Sequence, residues 1–180
     1  LGAQVPFIRP SELATAHTGI VPVMSHSVHT CMMQNLPIQW ACCIFPCNPF
    51  IDIGDLHKAA NLAETQKVDF VYPVTEYRHP TARAMTRNEA GSMSFIDPES
   101  ELKRTQDCEI TFHDAGQFYY GHAHAWLAKK RMHTSGIGMP IPHWRVIDID
   151  TDEDWNYAEL LYSALRKRTT QDVLESVADS

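Results

Sequence analysis

Apolar positions along this chain switch between short runs and helical spacing. Residues 19–34 read as a helix, with Pro22 placed in the first turn, where a missing N–H costs nothing. The run WACCIF at residues 40–45 fits a buried strand. Asp52 is a good N-cap for a helix bearing Ile53, Leu56, Ala59, Ala60 and Ala63. Residues 69–75 (DFVYPVT) read as a second buried strand, with Pro73 near its end. Residues 117–121 predict a strand leading into a helix over 123–130, and residues 137–141 and 145–150 complete the strand set. Strands alternating with helices predict an α/β layered fold.

Residues 145–155 (RVIDIDTDEDW) carry the most chemistry. Read as a buried strand, they set Asp148 and Asp150 on one side, about 7 Å apart. Two carboxylates at the C-terminal end of a strand suit a divalent cation, and that edge is where open α/β sheets bind ligands. Mg²⁺ takes one or two carboxylates plus substrate phosphates. Val146, Ile147 and Ile149 imply burial, which unpaired carboxylates tolerate poorly. Thr151 with Asp154 has capping-box spacing, and Trp155, Ala158, Leu161, Tyr162 and Leu165 continue as a helix. Asp152, Glu153 and Asp154 suit the positive end of that helix without any further role.

Residues 81–113 break the rhythm. They are polar, carry turn signals at 88–91 and at Asp97-Pro98, and read as hairpin-like excursions, a candidate dimer arm or lid. Residues 169–180 read as a short helix or a frayed end. Residues 1–180 are enough for one domain with a real core.

Composition narrows the function. A formal net charge of -7 argues against general nucleic-acid binding, and an anionic substrate would need a local basic site or a metal. No apolar run spans a bilayer, and no signal-like segment is visible, so no membrane role is expected. The five cysteines form no CxxC pair; Cys42 and Cys43 read as small hydrophobes, and reduced thiols point to the cytoplasm. Ten histidines are present; His122 and His124 are separated by one residue, but no third zinc ligand stands at a convincing spacing. Trp144 and Trp155 read as core anchors. None of the eight glycines forms a phosphate-binding GxGxxG or GxxxxGK[ST] loop.

Seven segments, in order, support a resemblance: VPFIRPSELA (residues 5–14), Thr18-Gly19, Asn48-Pro49-Phe50, DFVYPVTE (69–76), RTQD (104–107), HDAGQFYYG (113–121) and IDIDTDEDW (147–155). On these the chain resembles the acylneuraminate cytidylyltransferases, and among them the pseudaminic acid cytidylyltransferases. The resemblance implies a Rossmann-like three-layer nucleotidyltransferase sheet, CTP and a nine-carbon acidic sugar as substrates, Mg²⁺, and a homodimer joined through an extended insertion. It assigns Asp148 and Asp150 to the metal, Arg9 to the cytosine, and Thr18 and Gly19 to the base and ribose. Arg104 falls near a sugar-binding arginine of the dimer arm, one residue out of register. Gln117 and Tyr119 line the sugar site.

Three departures matter. The Gly-rich, cationic loop that opens this family has no counterpart, so the resemblance implies an N-terminally incomplete fold, with at least one βα unit of about 30 residues ahead of Leu1. Sialic-acid enzymes carry Gln-Pro-Thr-Ser-Pro where Phe45 begins Phe-Pro-Cys-Asn-Pro; an amide contact is replaced at Phe45, which favours pseudaminic acid over sialic acid. Ile20 replaces a hydroxyl residue facing the ribose. The expected reaction is attack of the anomeric hydroxyl on the α-phosphorus of CTP, giving the CMP-sugar and pyrophosphate. The alternative is a catalytically incompetent module for dimerisation or sugar binding.

Overall fold

A computed structural model describes residues 2–178, with side-chain surroundings through Arg166. In chain order the elements are α1 (Ile20–Met33), β1 (Trp40–Ile44), α2 (Ile53–Gln66), β2 (Phe70–Glu76), β3 (Met85–Arg87), β4 (Met93–Phe95), β5 (Phe112–Asp114), β6 (Phe118–His122), α3 (Ala123–Leu127), α4 (Met132–Ser135), β7 (Gly136–Pro140) and α5 (Asp152–Ala178), with short 3-10 turns between them. This is the expected mixture of helix and strand.

Local chemistry fixes the helix ends. Gly19, extended at φ -69° and ψ 167°, caps α1, and Pro22 sits in its first turn. The Asp52 carboxylate accepts from Gly54 N at 2.6 Å to open α2, which closes on Lys67 in a left-handed conformation.

β6 pairs antiparallel with β1 on one side and with Phe70 and Val71 of β2 on the other. β5 continues along the same edge of β2, opposite Val74 to Glu76, and β7 pairs parallel with the far edge. β1, β2 and β7 therefore run the same way and end together. The period of two sorts their side chains onto two faces. Phe70, Tyr72 and Tyr119 join Val28 of α1 and Trp126 of α3 in one core, while Val71 and Phe118 join Ala59 and Ala63 of α2 in the other. Helices thus cover both faces. Gly121 is needed on the first face: a Cβ there would lie 2.5 Å from the Phe70 ring and 2.6 Å from Trp126 Nε1. The buried indole N–H is satisfied by Ala41 O at 3.2 Å.

A third cluster sets up the site. Phe50, Ile147 and Ala158 pack together with Ile149, Leu161 and Leu165, so α5 is docked onto the segment that follows β7.

The structure corrects several expectations. Residues 145–150 are not a strand: His143–Arg145 form a 3-10 turn, and 146–150 run outside the sheet. The apolar side chains there have α5 and Phe50 for partners, so the segment is buried on one side without a strand neighbour. Trp155 is 56% exposed and Trp144 38%, so neither anchors the core. β1 is an edge strand, half-buried rather than buried. The expected tail helix is the end of α5, whose backbone is helical through Ala178; residues 179–180 lie outside the described residues. Residues 81–113 do hold a hairpin, β3 against β4, with Met85 facing Phe95 and Arg87 facing Met93.

Candidate active site

The common C-terminal end of β1, β2 and β7 is where this topology would place a ligand. The segment leaving β7 passes there. Ile147 is buried and Ile149 half-buried, while Asp148 and Asp150 are exposed. That alternation turns both carboxylates outward, and neither has a side-chain partner among the described residues.

The segment is fixed at both ends. At its far end Thr151 and Asp154 form a reciprocal capping box: Thr151 N donates to Asp154 Oδ2 at 2.9 Å, and Asp154 N donates to Thr151 Oγ1 at 3.2 Å. Asp150 N also donates to Asp154 Oδ2, at 3.3 Å. Hydrogen bonds from the Thr151 side chain and backbone hold the Asp154 carboxyl below its ordinary range. At the near end Arg145 donates through Nε to Phe50 O at 3.2 Å and pairs through Nη2 with Asp55 Oδ2 at 2.5 Å. Its own carbonyl accepts from Gln117 Nε2 at 2.6 Å.

Beside this segment lies a cavity of about 410 Å³, lined by Thr75 to His79, His113, His143, Val146, Ile147 and Tyr157. In a chain of net charge -7 it gathers Arg78 and three imidazoles against one carboxylate, Glu76. The Thr75 hydroxyl is buried beside it with no hydrogen-bond partner among the described residues. His113 also borders a groove of about 380 Å³ floored by Tyr72 and Val74 and edged by Phe112, Asp114, His133, Gly138 and Pro140. Asp114 is its hub. Oδ2 receives Tyr119 OH and lies 2.6 Å from His133 Nε2, and Oδ1 receives Gly116 N at 2.8 Å. Burial, followed by the bond to Asp114, raises the Tyr119 phenol above its ordinary range.

The residues expected from sequence fall in different places. Phe45 meets Tyr119 edge-on, ring centroids 5.6 Å apart, at the rim of the first core. Tyr119 is buried with its hydroxyl committed to Asp114. Gln117 is 0% exposed, its amide turned to the Arg145 carbonyl. Thr18 bonds Thr15 Oγ1 at 2.7 Å just ahead of α1, and Gly19 is the cap. Arg9 and Arg104 are exposed. No hydrogen bond or ion pair joins Arg9, Thr18 or Arg104 to the Asp148 segment among the described residues.

Sequence reasoning missed Arg78, His79 and His143, Arg145 with Asp55, and the Asp114–His133 contact. Arg78 and His79 had a signal, because they follow directly on a buried strand at its ligand-binding end. His133 had none: it lies 19 residues beyond Asp114 and only tertiary folding brings them together.

For a metal, the free donors are the hard oxygens of Asp148 and Asp150. Among the described residues no group of three or more His, Cys, Asp or Glu is set to hold an ion. Two hard carboxylate oxygens suit Mg²⁺, which completes its shell with water and phosphate. His122 and His124 approach each other at 2.5 Å between Nδ1 atoms, and His124 is tied to Asp69.

No family model matches the chain. It is similar to pseudaminic acid cytidylyltransferase from Campylobacter jejuni serotype O:2, with 29% identity over 164 residues, 89% of this chain and 70% of that one. The same enzyme from serotype O:23/36 gives the same figures. The chain is a homologue of the pseudaminic acid cytidylyltransferases. A two-function protein of Helicobacter pylori, named as a pseudaminic acid cytidylyltransferase and a UDP-sugar hydrolase, is 27% identical over 126 residues, 69% of this chain and 24% of that one.

Proposed function

We propose that the protein transfers the cytidylyl group of CTP to a nine-carbon acidic sugar, pseudaminic acid, releasing pyrophosphate, for surface or flagellar glycan synthesis. The observation that carries this reading is the pair of unpartnered carboxylates, Asp148 and Asp150, turned outward on the segment whose Val146 and Ile147 line a cavity holding Arg78 and three histidines, in a chain homologous to such enzymes.

In this reaction the anomeric hydroxyl forms a bond to the α-phosphorus, the bond to pyrophosphate breaks, and the hydroxyl proton is lost. Negative charge grows on the phosphoryl oxygens, so catalysis rests on positioning and electrostatics. Asp148 and Asp150 would hold Mg²⁺, which would supply charge neutralisation in the transition state. Arg78 suits the sugar carboxylate, because a guanidinium binds a carboxylate through two parallel hydrogen bonds. Arg9, Thr18 and Gly19 remain the proposed nucleotide contacts, and Phe45 and Arg104 the proposed sugar contacts, while the buried Tyr119 supports the sugar site through Asp114.

The finer features of the reading follow. The sheet with helices on both faces is taken as the Rossmann-like nucleotidyltransferase sheet. The β3–β4 hairpin carries Met85 and Met93 more than half exposed, with Ile96 and Leu102 close by in the chain, which supports a homodimer arm. No helix among the described residues is long and apolar enough to cross a membrane. The five cysteines are unpaired, in keeping with a cytoplasmic protein.

Pyrophosphate release with CTP, pseudaminic acid and Mg²⁺ is the direct assay, run beside sialic acid. Metal-dependent release with pseudaminic acid is the expected result. No release with any nine-carbon acidic sugar would overturn the proposal.

A further inference from the structure

A fully buried glutamine at the base of a candidate active site calls for a reason. Gln117 is 0% exposed. Its Nε2 donates to Arg145 O at 2.6 Å, yet its Oε1 is buried with no hydrogen-bond partner among the described residues. An unsatisfied buried acceptor costs about 1–3 kcal/mol, which an apolar side chain of similar size would avoid. The amide therefore does something there that packing alone does not require. What it touches is the first residue of the segment leading to Asp148 and Asp150.

Arg145 is the other half of the device. Its side chain is 12% exposed and its partner Asp55, on α2, 17%. A carboxylate and a guanidinium this far out of water are held by their mutual attraction, and removing one partner leaves a buried charge. The same guanidinium donates through Nε to the Phe50 carbonyl at 3.2 Å. Phe50 in turn packs on Ile147 and on Ala158 of α5. One residue is thus tied to α2 by charge, to the loop after β1 by its side chain, and to the β6 edge by its backbone. None of these anchors lies in the segment 146–150 itself, which has no strand neighbour to hold it.

We infer that Gln117 and Arg145 are positioning residues: the Gln117–Arg145–Asp55 relay sets the path of residues 146–150, so that Asp148 and Asp150 face outward together in a geometry that accepts a divalent cation and a nucleotide phosphate. Neither residue touches substrate. The relay acts through backbone placement, which is why it is buried and why Gln117, although it lies in the motif HDAGQFYYG, does not face either cavity. This inference rests on the function proposed above for the two aspartates, but its structural part can be read separately.

The experiment uses the full chain, with Gln117→Met as a near-isosteric variant and Arg145→Lys as a variant that keeps the charge opposite Asp55. Two readouts are taken. Backbone hydrogen exchange over residues 146–151 reports whether the segment is held; local opening free energy sets that rate. Calorimetric titration with CTP, with and without Mg²⁺, reports the metal-dependent part of nucleotide binding.

The expected result is faster exchange confined to 146–151 and a loss of about tenfold in the Mg²⁺-dependent gain in CTP affinity, about 1.4 kcal/mol, with CTP binding in the absence of metal unchanged. A role confined to stability would lower the melting temperature without separating those two affinities. Folded variants with wild-type exchange over 146–151 would overturn the proposal, as would variants whose Mg²⁺-dependent gain is intact. Failure of both variants to fold would assign the pair to maintenance of the fold and also overturn it. Should the wild-type chain show no Mg²⁺-dependent CTP binding, the proposed function fails at the aspartates, and the exchange measurement alone decides whether the relay positions the segment.

Discussion

The two ends of the sheet treat their charges in opposite ways. At the end where β2 begins, Asp69 receives Lys130 Nζ at 2.6 Å and lies 2.9 Å from His124 Nε2, and His124 in turn contacts His122. The carboxylate at the start of β2 is thus committed to two partners. At the end where β2, β1 and β7 finish, Asp148 and Asp150 have no side-chain partner among the described residues, Arg78 and His79 face a cavity, and the Thr75 hydroxyl is buried without a bond. Charges that satisfy one another add at most modestly to stability. Exposed carboxylates without a partner neither stabilise nor destabilise the fold appreciably, so their placement is explained by what they bind, while the buried Thr75 hydroxyl carries a real cost.

The sharpest way to test the contrast is at its acidic members. Asp150→Asn keeps the shape of the segment and removes one charge from the pair. Cytidylyl transfer should fall at least about a hundredfold in kcat/KM, about 2.7 kcal/mol. The melting temperature should stay the same, because the side chain supports nothing. Wild-type kinetics in that variant would remove Asp150 from the site. Next in size is Arg78→Ala. If this cation holds the sugar carboxylate, KM for the sugar should rise roughly tenfold with kcat little changed, the signature of lost uniform binding. An equal fall in kcat would move Arg78 to the reacting phosphate.

This contrast was only half visible in the chain itself. The alternation of strand and helix, the Asp52 cap and the Thr151–Asp154 capping box could be read directly, because each depends on residues within one turn. The alternation of Asp148 and Asp150 with apolar neighbours was legible too, though the strand it suggested did not form. The surroundings of the pair were not. The segment 146–150 has strand composition, yet its apolar side chains find α5 and Phe50 instead of a neighbouring strand. Trp155 has an anchor's side chain, but sits half-exposed at the rim of an apolar hollow with Pro49, Ile149 and Ala158, while Ala158, Leu161 and Leu165 make the packed side of the helix. The Gln117–Arg145 bond spans 28 residues, and the Arg145–Phe50 bond 95. Nothing local announces such contacts.

The capping box offers a smaller and graded test. Thr151→Ala removes the cap of the helix docked under the site and should cost about 1 kcal/mol of stability. The pH dependence has a definite sign. Asp154 titrates lower in the folded protein than in the unfolded chain, because Thr151 donates to its carboxylate. Its contribution is therefore present above the ordinary carboxyl range and is lost as pH falls through the folded value. Thermal melts from neutral pH downward should show this acid-side loss in the wild type and a shallower slope in Thr151→Ala. Parallel slopes would mean that the box does not hold in solution.

The smallest effect is expected at the opposite end of the sheet, and it bears most directly on the contrast. Asp69→Asn breaks the pair with Lys130 and the contact with His124. Lys130 and His124 are 40% and 55% exposed, so water screens both, and pairs of this kind contribute about 0–1 kcal/mol. A shift of the melting temperature by no more than a few degrees follows, with kcat, KM and the Mg²⁺ requirement unaltered. The variant does leave Lys130 and His124 without the carboxylate between them, which makes the result informative. If catalysis nonetheless changes in Asp69→Asn, the paired end is coupled to the open end through β2, and the division between a structural and a functional end of the sheet is wrong.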